Sequence, residues 1–228
     1  MNTSLSKDEL KLYLGKQLSN YFPDNTRFEG NDVDSALTLA LDRLENCFKE
    51  ITFPAYSDGE QTFFSHLHAD QYATFLYFFM NSLWKFSENK PICDKVLYLN
   101  RMLHGFFVSY KGRMPDHFFL GHPVGTIIGN AVYSDYLVIF QNVTVNTDTD
   151  AEGNPAPVLG KGLFLGTGAK IIGNKTVGDR VSVGVDAVVY NREIPDDSVV
   201  LKAENGEVLV KKRKKEKCMA QNYFRSVI

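Results

Sequence analysis

The sequence predicts an α+β chain: a helical first half, then a parallel β-helix of hexapeptide repeats with one extruded loop. Three observations carry this. Apolar residues recur at helical spacing up to about residue 104, aliphatic residues fall on every sixth position further on, and residues 146–157 break that period once.

The helical half divides at residues 1–110. Ser6-Lys7-Asp8-Glu9 fits a capping box, in which the Ser6 hydroxyl and the Glu9 carboxylate each satisfy a free amide of a first helical turn. Leu10, Leu14 and Leu18 follow at helical spacing. Leu37, Leu41, Leu44, Phe48 and Ile51 form a second apolar stripe, with Asp42, Arg43, Glu45 and Lys49 on the far side. Tyr72, Leu76, Phe79, Leu83 and Phe86 form a third, which Glu88-Asn89-Lys90-Pro91 ends; a fourth helix runs from about Asp94 to His104. These aromatic stripes read as helix-packing core.

The β-helix is assigned to residues 111–203. Leu159, Leu165, Ile171, Val177, Val183 and Val189 lie six apart, and glycine follows four of those six: Gly160, Gly166, Gly178 and Gly184. Tyr133, Ile139 and Val145 carry the same period upstream. A helix would need a period of 3.6 and a hairpin meander a period of 2. A period of six means a short strand and a tight corner, repeated, with each aliphatic side chain stacked inside the coil. Glycine after it lets the backbone turn without a Cβ clash. Residues 146–157 (NTDTDAEGNPAP) are polar turn formers that a coil cannot absorb, so they loop out. Residues 204–228 are assigned as a C-terminal basic tail, with Lys211-Lys212-Arg213-Lys214-Lys215 reading as a solvated charge run.

Composition narrows the function classes. Of 228 residues, 44% are hydrophobic and 23% charged, enough to bury a real core. A net charge of −2 points to neither nucleic acid nor an acidic membrane as partner. No apolar run is long enough to span a bilayer. Three scattered cysteines, Cys47, Cys93 and Cys218, suit reduced thiols and a cytoplasmic location.

From about residue 99 to 200 the chain resembles serine acetyltransferases and their hexapeptide-repeat relatives that acetylate sugars in surface-polysaccharide synthesis. The segments that carry the resemblance are GHPVGTIIGNAVYSDYLVIFQNVTV and LGKGLFLGTGAKIIGNKTVGDRVSVGVDAVV. His122, followed by a glycine three residues on and then by Gln141-Asn142-Val143-Thr144, is the narrower match to the serine branch. The resemblance implies a left-handed β-helix, a homotrimer with active sites between subunits (two trimers joining through helical domains in some members), acetyl-CoA as co-substrate and no metal.

The same resemblance makes His122 the general base. Transfer of acetyl from a thioester to a hydroxyl needs a group that removes the hydroxyl proton, and a histidine titrates near neutrality. Gly166, Thr167, Gly168 and Ala169, then Gly184 and Val185, match the positions that hold the pantetheine arm. Lys170, Arg180 or the basic tail could meet the CoA phosphates. Asp116 is the candidate for orienting His122 or binding substrate, since the family's acid position falls near Phe107, with Ser109 as a further option.

Two departures bear on the acceptor. The family's aspartate before the base, which binds the amino acid, is Gly121 here, and its second histidine falls at Ala156 or Pro157. These favour a sugar hydroxyl as acceptor, with L-serine as the alternative. Two rivals stand outside the acyltransferases. His117 and His122 share the H-x4-H spacing of γ-class carbonic anhydrase zinc ligands. The terminal Ser226-Val227-Ile228 would suit a non-catalytic scaffold or a partner-docking tail.

Overall fold

The computed structural model describes residues 1–228. Four helices form the first half: α1 (Lys7–Tyr21), α2 (Asn31–Glu50), α3 (Ala69–Ser87) and α4 (Lys90–His104). The capping box forms as expected, with Glu9 N–H donating to Ser6 Oγ and Ser6 N–H to Glu9 Oε2 at 2.8 Å. Helix α3 departs from a simple amphipathic stripe, because every residue from 70 to 83 is buried between α2, α4 and the β-helix. Phe86, assigned to its stripe, lies beyond that contact and is exposed.

Helix α4 starts four residues earlier than the sequence predicts. Asn89 caps it and Pro91 falls in its first turn, where the missing N–H costs nothing because first-turn N–H groups have no intrahelical acceptor. The expected break after α3 is therefore confined to Glu88 and Asn89, and Pro91 opens α4.

From Phe106 onward the chain coils through three parallel faces. Face A stacks Phe118–Gly121, Leu137–Phe140, Phe164–Leu165, Ser182–Val183 and Ser198–Lys202. Face B stacks Phe106–Val108, Thr126–Ile128, Thr144–Val145, Lys170–Ile172 and Val188–Tyr190. Face C pairs Val132–Tyr133 with Val158–Leu159 and continues through bridges from Leu159 to Val177 and from Val177 to Ile194. The six-residue period is the step from one face to the next. Leu165, Val183 and Val200 stack on face A, Val145, Ile171 and Val189 on face B, and Leu159, Val177 and Ile194 on face C, all buried. The first rung, Phe106–Val108, belongs to the coil although it lies inside the 1–110 segment assigned to the helical half.

The extruded segment leaves between faces B and C as a small hairpin, Asp148–Thr149 against Pro155–Ala156. The lysines of the charge run, Lys211, Lys212, Lys214 and Lys215, are exposed as expected, but the end of the chain is not a free tail. Val208–Lys212 pairs antiparallel with Ser198–Lys202 and closes face A. Arg213 then bonds Asp197 at 2.5 Å, and the chain returns to the helical half as a strap. Phe224 bridges Ile51, Thr52 N–H donates to the Tyr223 carbonyl at 3.0 Å, and Arg225 N–H donates to the Glu50 carbonyl at 2.8 Å. Tyr223 completes an aromatic cluster on the outside of face A with Phe53, Phe119, Phe140 and Phe164, at centroid distances of 5.1–5.9 Å. Ile228 turns in beside Gly162 and donates its N–H to Gln221 Oε1 at 2.9 Å.

Candidate active site

His122 occupies the corner where the chain passes from face A to face B. Its φ is +51°, a conformation that L side chains adopt rarely, and its ring is largely exposed. Successive corners stack under it. Asn142 N–H donates to the Val124 carbonyl, Gly168 N–H to that of Gln141 and Asp186 N–H to that of Thr167, each at 2.9 Å.

This ladder puts Gly166, Thr167, Gly168 and Ala169 two rungs below His122, and Gly184 and Val185 three rungs below. At about 4.8 Å per rung, those levels are roughly 10 and 14 Å away along one edge. Gly168 has a φ of +71°, and a Cβ there would stand 2.1 Å from Asp186 Oδ1, so a side chain would have to displace that carboxylate. Lys170 lies at the same edge, its Nζ donating to the Gly168 carbonyl at 3.0 Å. Arg180 does not. It sits at the corner between faces C and A, bound through Nε and Nη2 to Asp197 at 2.8 and 3.2 Å, and Arg213 shares that carboxylate.

Asp116 is also misplaced as a partner for His122. It precedes the strand Phe118–Gly121 and His122 follows it, so about six residues of extended chain, roughly 20 Å, separate them. Asp116 instead lines a groove of about 600 Å³ with Tyr133, Asp135, Tyr136 and Lys161. Phe107 is an outer residue of the first rung of face B, and neither it nor Ser109 offers a carboxylate. The carboxylate that does meet His122 comes from the helical half. Asp70 Oδ2, in the first turn of α3, lies 3.3 Å from His122 Nδ1 with only 7% of its side chain exposed. Sequence reading missed it, because 52 positions and two architectures separate the pair. Gln141, named in the sequence only as part of the Gln141-Asn142-Val143-Thr144 motif, lies one rung below His122, and its Oε1 is buried with no hydrogen-bond partner.

The remaining histidines serve local packing. His117 stacks on Tyr136 at 5.4 Å and its Nε2 meets Asn46 Nδ2 at 3.1 Å. It stands at the opposite end of the strand from His122, so the H-x4-H spacing does not bring the two rings together. No group of three or more His, Cys, Asp or Glu side chains is arranged to hold a metal ion. His104 is buried, which pushes its imidazole down to about 4 despite the bond to Asn100.

Gly121 lies directly before His122 and is closely covered: a Cβ there would stand 2.8 Å from Phe140 Cε1 and 3.2 Å from Phe119 Cε1. Ala156 is on the extruded hairpin, which leaves the coil at a different corner from that of His122.

No family model matches the chain. The serine acetyltransferase of Synechococcus elongatus is 32% identical over 120 residues, 52% of this chain and 49% of that protein. That of Bacillus pumilus is 30% identical over 118 residues, 51% of this chain and 54% of that protein. The chain thus spans about half the length of these curated relatives. Among solved structures, the serine acetyltransferase of Neisseria gonorrhoeae superposes with a TM-score of 0.68 at 19% identity, over 93% of this chain and 83% of that one. The Vibrio cholerae serine acetyltransferase gives a TM-score of 0.60 at 20% identity, over 90% and 72%. The fold is therefore a helical domain followed by a left-handed β-helix. No helix of the chain is long and apolar enough to cross a membrane. In sequence over half its length, and in fold over nearly all of it, the chain is a hexapeptide-repeat protein that resembles the serine acetyltransferases.

Proposed function

We propose that this chain is an acetyl-CoA-dependent O-acetyltransferase in which His122 is the general base, with L-serine the first acceptor to test. One observation carries the reading: His122 stands at the head of a corner edge whose lower rungs, Gly166 to Ala169 and Gly184 to Val185, are small. A thin pantetheine arm can approach backbone closely there and present its thioester towards the histidine.

The donor supplies an activated acyl carbon. His122 Nε2 removes the proton of the acceptor hydroxyl as that oxygen bonds to the carbonyl carbon, and the carbon–sulfur bond then breaks. The proton returns from Nε2 to the departing sulfur, so the imidazole ends the cycle neutral. Lys170 supplies the positive charge on this edge for an anionic part of the donor. The chemistry asks nothing of a metal.

L-serine leads because the relatives that match about half of this chain are named for it. A sugar hydroxyl is the second reading. It is favoured by Gly121, where the serine branch keeps an aspartate and this chain has a glycine under the Phe140 ring. An aromatic ledge suits the flat face of a pyranose better than an ammonium and carboxylate pair.

The test is release of CoA thiol from acetyl-CoA with L-serine and nucleotide-linked sugars offered separately. His122→Ala should lower turnover by roughly 10²–10⁴-fold with the fold intact. Near-normal turnover in that variant would remove His122 from the role.

A further inference from the structure

We infer that Asp70 is the positioning residue of His122, so that the base is completed by the helical half docking on the first coil. This rests on His122 being the base. Asp70 is bound into the packed body of α3, its side chain almost wholly buried, and its one ionic partner is His122. A carboxylate at a helix N-terminus is commonly there only to offset the helix dipole. Two facts ask for more than that. Asp70 lies in the first turn, but no side-chain cap bond holds that turn. A carboxylate so little exposed also costs free energy unless it meets a cation or hydrogen-bond donors.

The geometry fixes the distance from both sides. Tyr77 and Phe78 of α3 pack on Phe118, at 6.1 and 5.4 Å between ring centroids. Phe118 begins the strand that ends at Gly121, and His122 is the next residue. The helix that carries the acid therefore grips the strand that carries the base. Within the coil, the segment from 105 to 121 holds a single acid, Asp116, at the wrong end of that strand.

The consequence is a choice of tautomer. With Asp70 Oδ2 3.3 Å from Nδ1, the carboxylate favours a proton on Nδ1, which leaves Nε2 its lone pair on a ring that is 81% exposed. The imidazolium formed during transfer then lies beside a fixed negative charge. Without Asp70 the ring is free to protonate on Nε2 and to rotate, and both states are unproductive.

The experiment compares Asp70→Asn with His122→Ala and wild type. Asp70→Asn should lower kcat by ~10²-fold or more, leave KM for acetyl-CoA within about a factor of two, and leave thermal unfolding near wild type. An Asp70→Asn enzyme with wild-type kcat beside a dead His122→Ala overturns this inference alone. An active His122→Ala overturns the reading beneath it. Nitrogen-15 NMR of the wild-type imidazoles decides the case even if the variant fails to fold. The neutral His122 should carry its proton on Nδ1, and a dominant Nε2–H form would overturn the assignment.

Discussion

His122 and His104 lie near the same corner of the molecule and show how surroundings divide one residue type into two roles. Gly105, next to His104, accepts the amide of Gly125 in the His122 turn. His122 is exposed and faces a carboxylate, whereas His104 is enclosed and kept neutral by burial. Because the folded value for His104, about 4, lies below the ordinary 6.5, the unfolded chain takes up a proton first as pH falls. The stability His104 contributes is therefore complete above about pH 6.5 and is lost as pH drops towards 4. Denaturant unfolding at pH 7 and pH 5 should show that loss in wild type and a smaller one in His104→Gln. Equal losses in the two proteins would assign the effect elsewhere. Gly121 makes the complementary point about space. Gly121→Asp, which restores the residue of the serine branch, should destabilise the fold and fail to raise turnover with serine, because Phe140 occupies the room a side chain needs. A soluble variant with faster serine turnover would show that the ledge can move.

At the scale of elements, the β-helix is held by stacking along each face and the strap by aromatic packing. Leu165 is fully buried between Ile139 and Val183 on face A. Leu165→Ala should cost about 2–5 kcal/mol, read by chemical denaturation, since neighbouring rungs cannot close the cavity without breaking register. Phe224 of the strap is buried against Tyr136, with ring centroids 5.2 Å apart. Phe224→Ala should cost about 3–5 kcal/mol, and a change below 1 kcal/mol would mean the strap is only loosely docked. The repeat was legible because inward aliphatics at a fixed period have one physical cause. The strap was not, because a run of exposed lysines such as Lys211 to Lys215 carries no sign that it starts on an edge strand or that Asp197 binds Arg213.

At the scale of the whole molecule, the outside of the β-helix keeps several large apolar side chains exposed. Val124, Val185 and Ile127 are exposed on the His122 corner and face B, and Tyr190 on face B is 73% exposed. Such a stripe is normally covered. The homotrimer that the resemblance implies is the cover we propose, and on that reading light scattering on the purified protein should give three times the 25.7 kDa chain mass. A mass of one chain would leave the stripe open and require the active site to be complete within a single protomer.

By itself the sequence determined the two architectures, the rung period and the extruded segment, because periodicity is a property of neighbours in the chain, and a local motif was enough to put forward His122 as a candidate. Only the tertiary structure decided which acid faces His122, that Asp116 and Arg180 stand at other corners, and that the terminal residues bind the helical half. Those outcomes depend on how α3 and the strap dock against face A. That docking is set by packing between segments far apart in the chain, and no spacing within either segment encodes it.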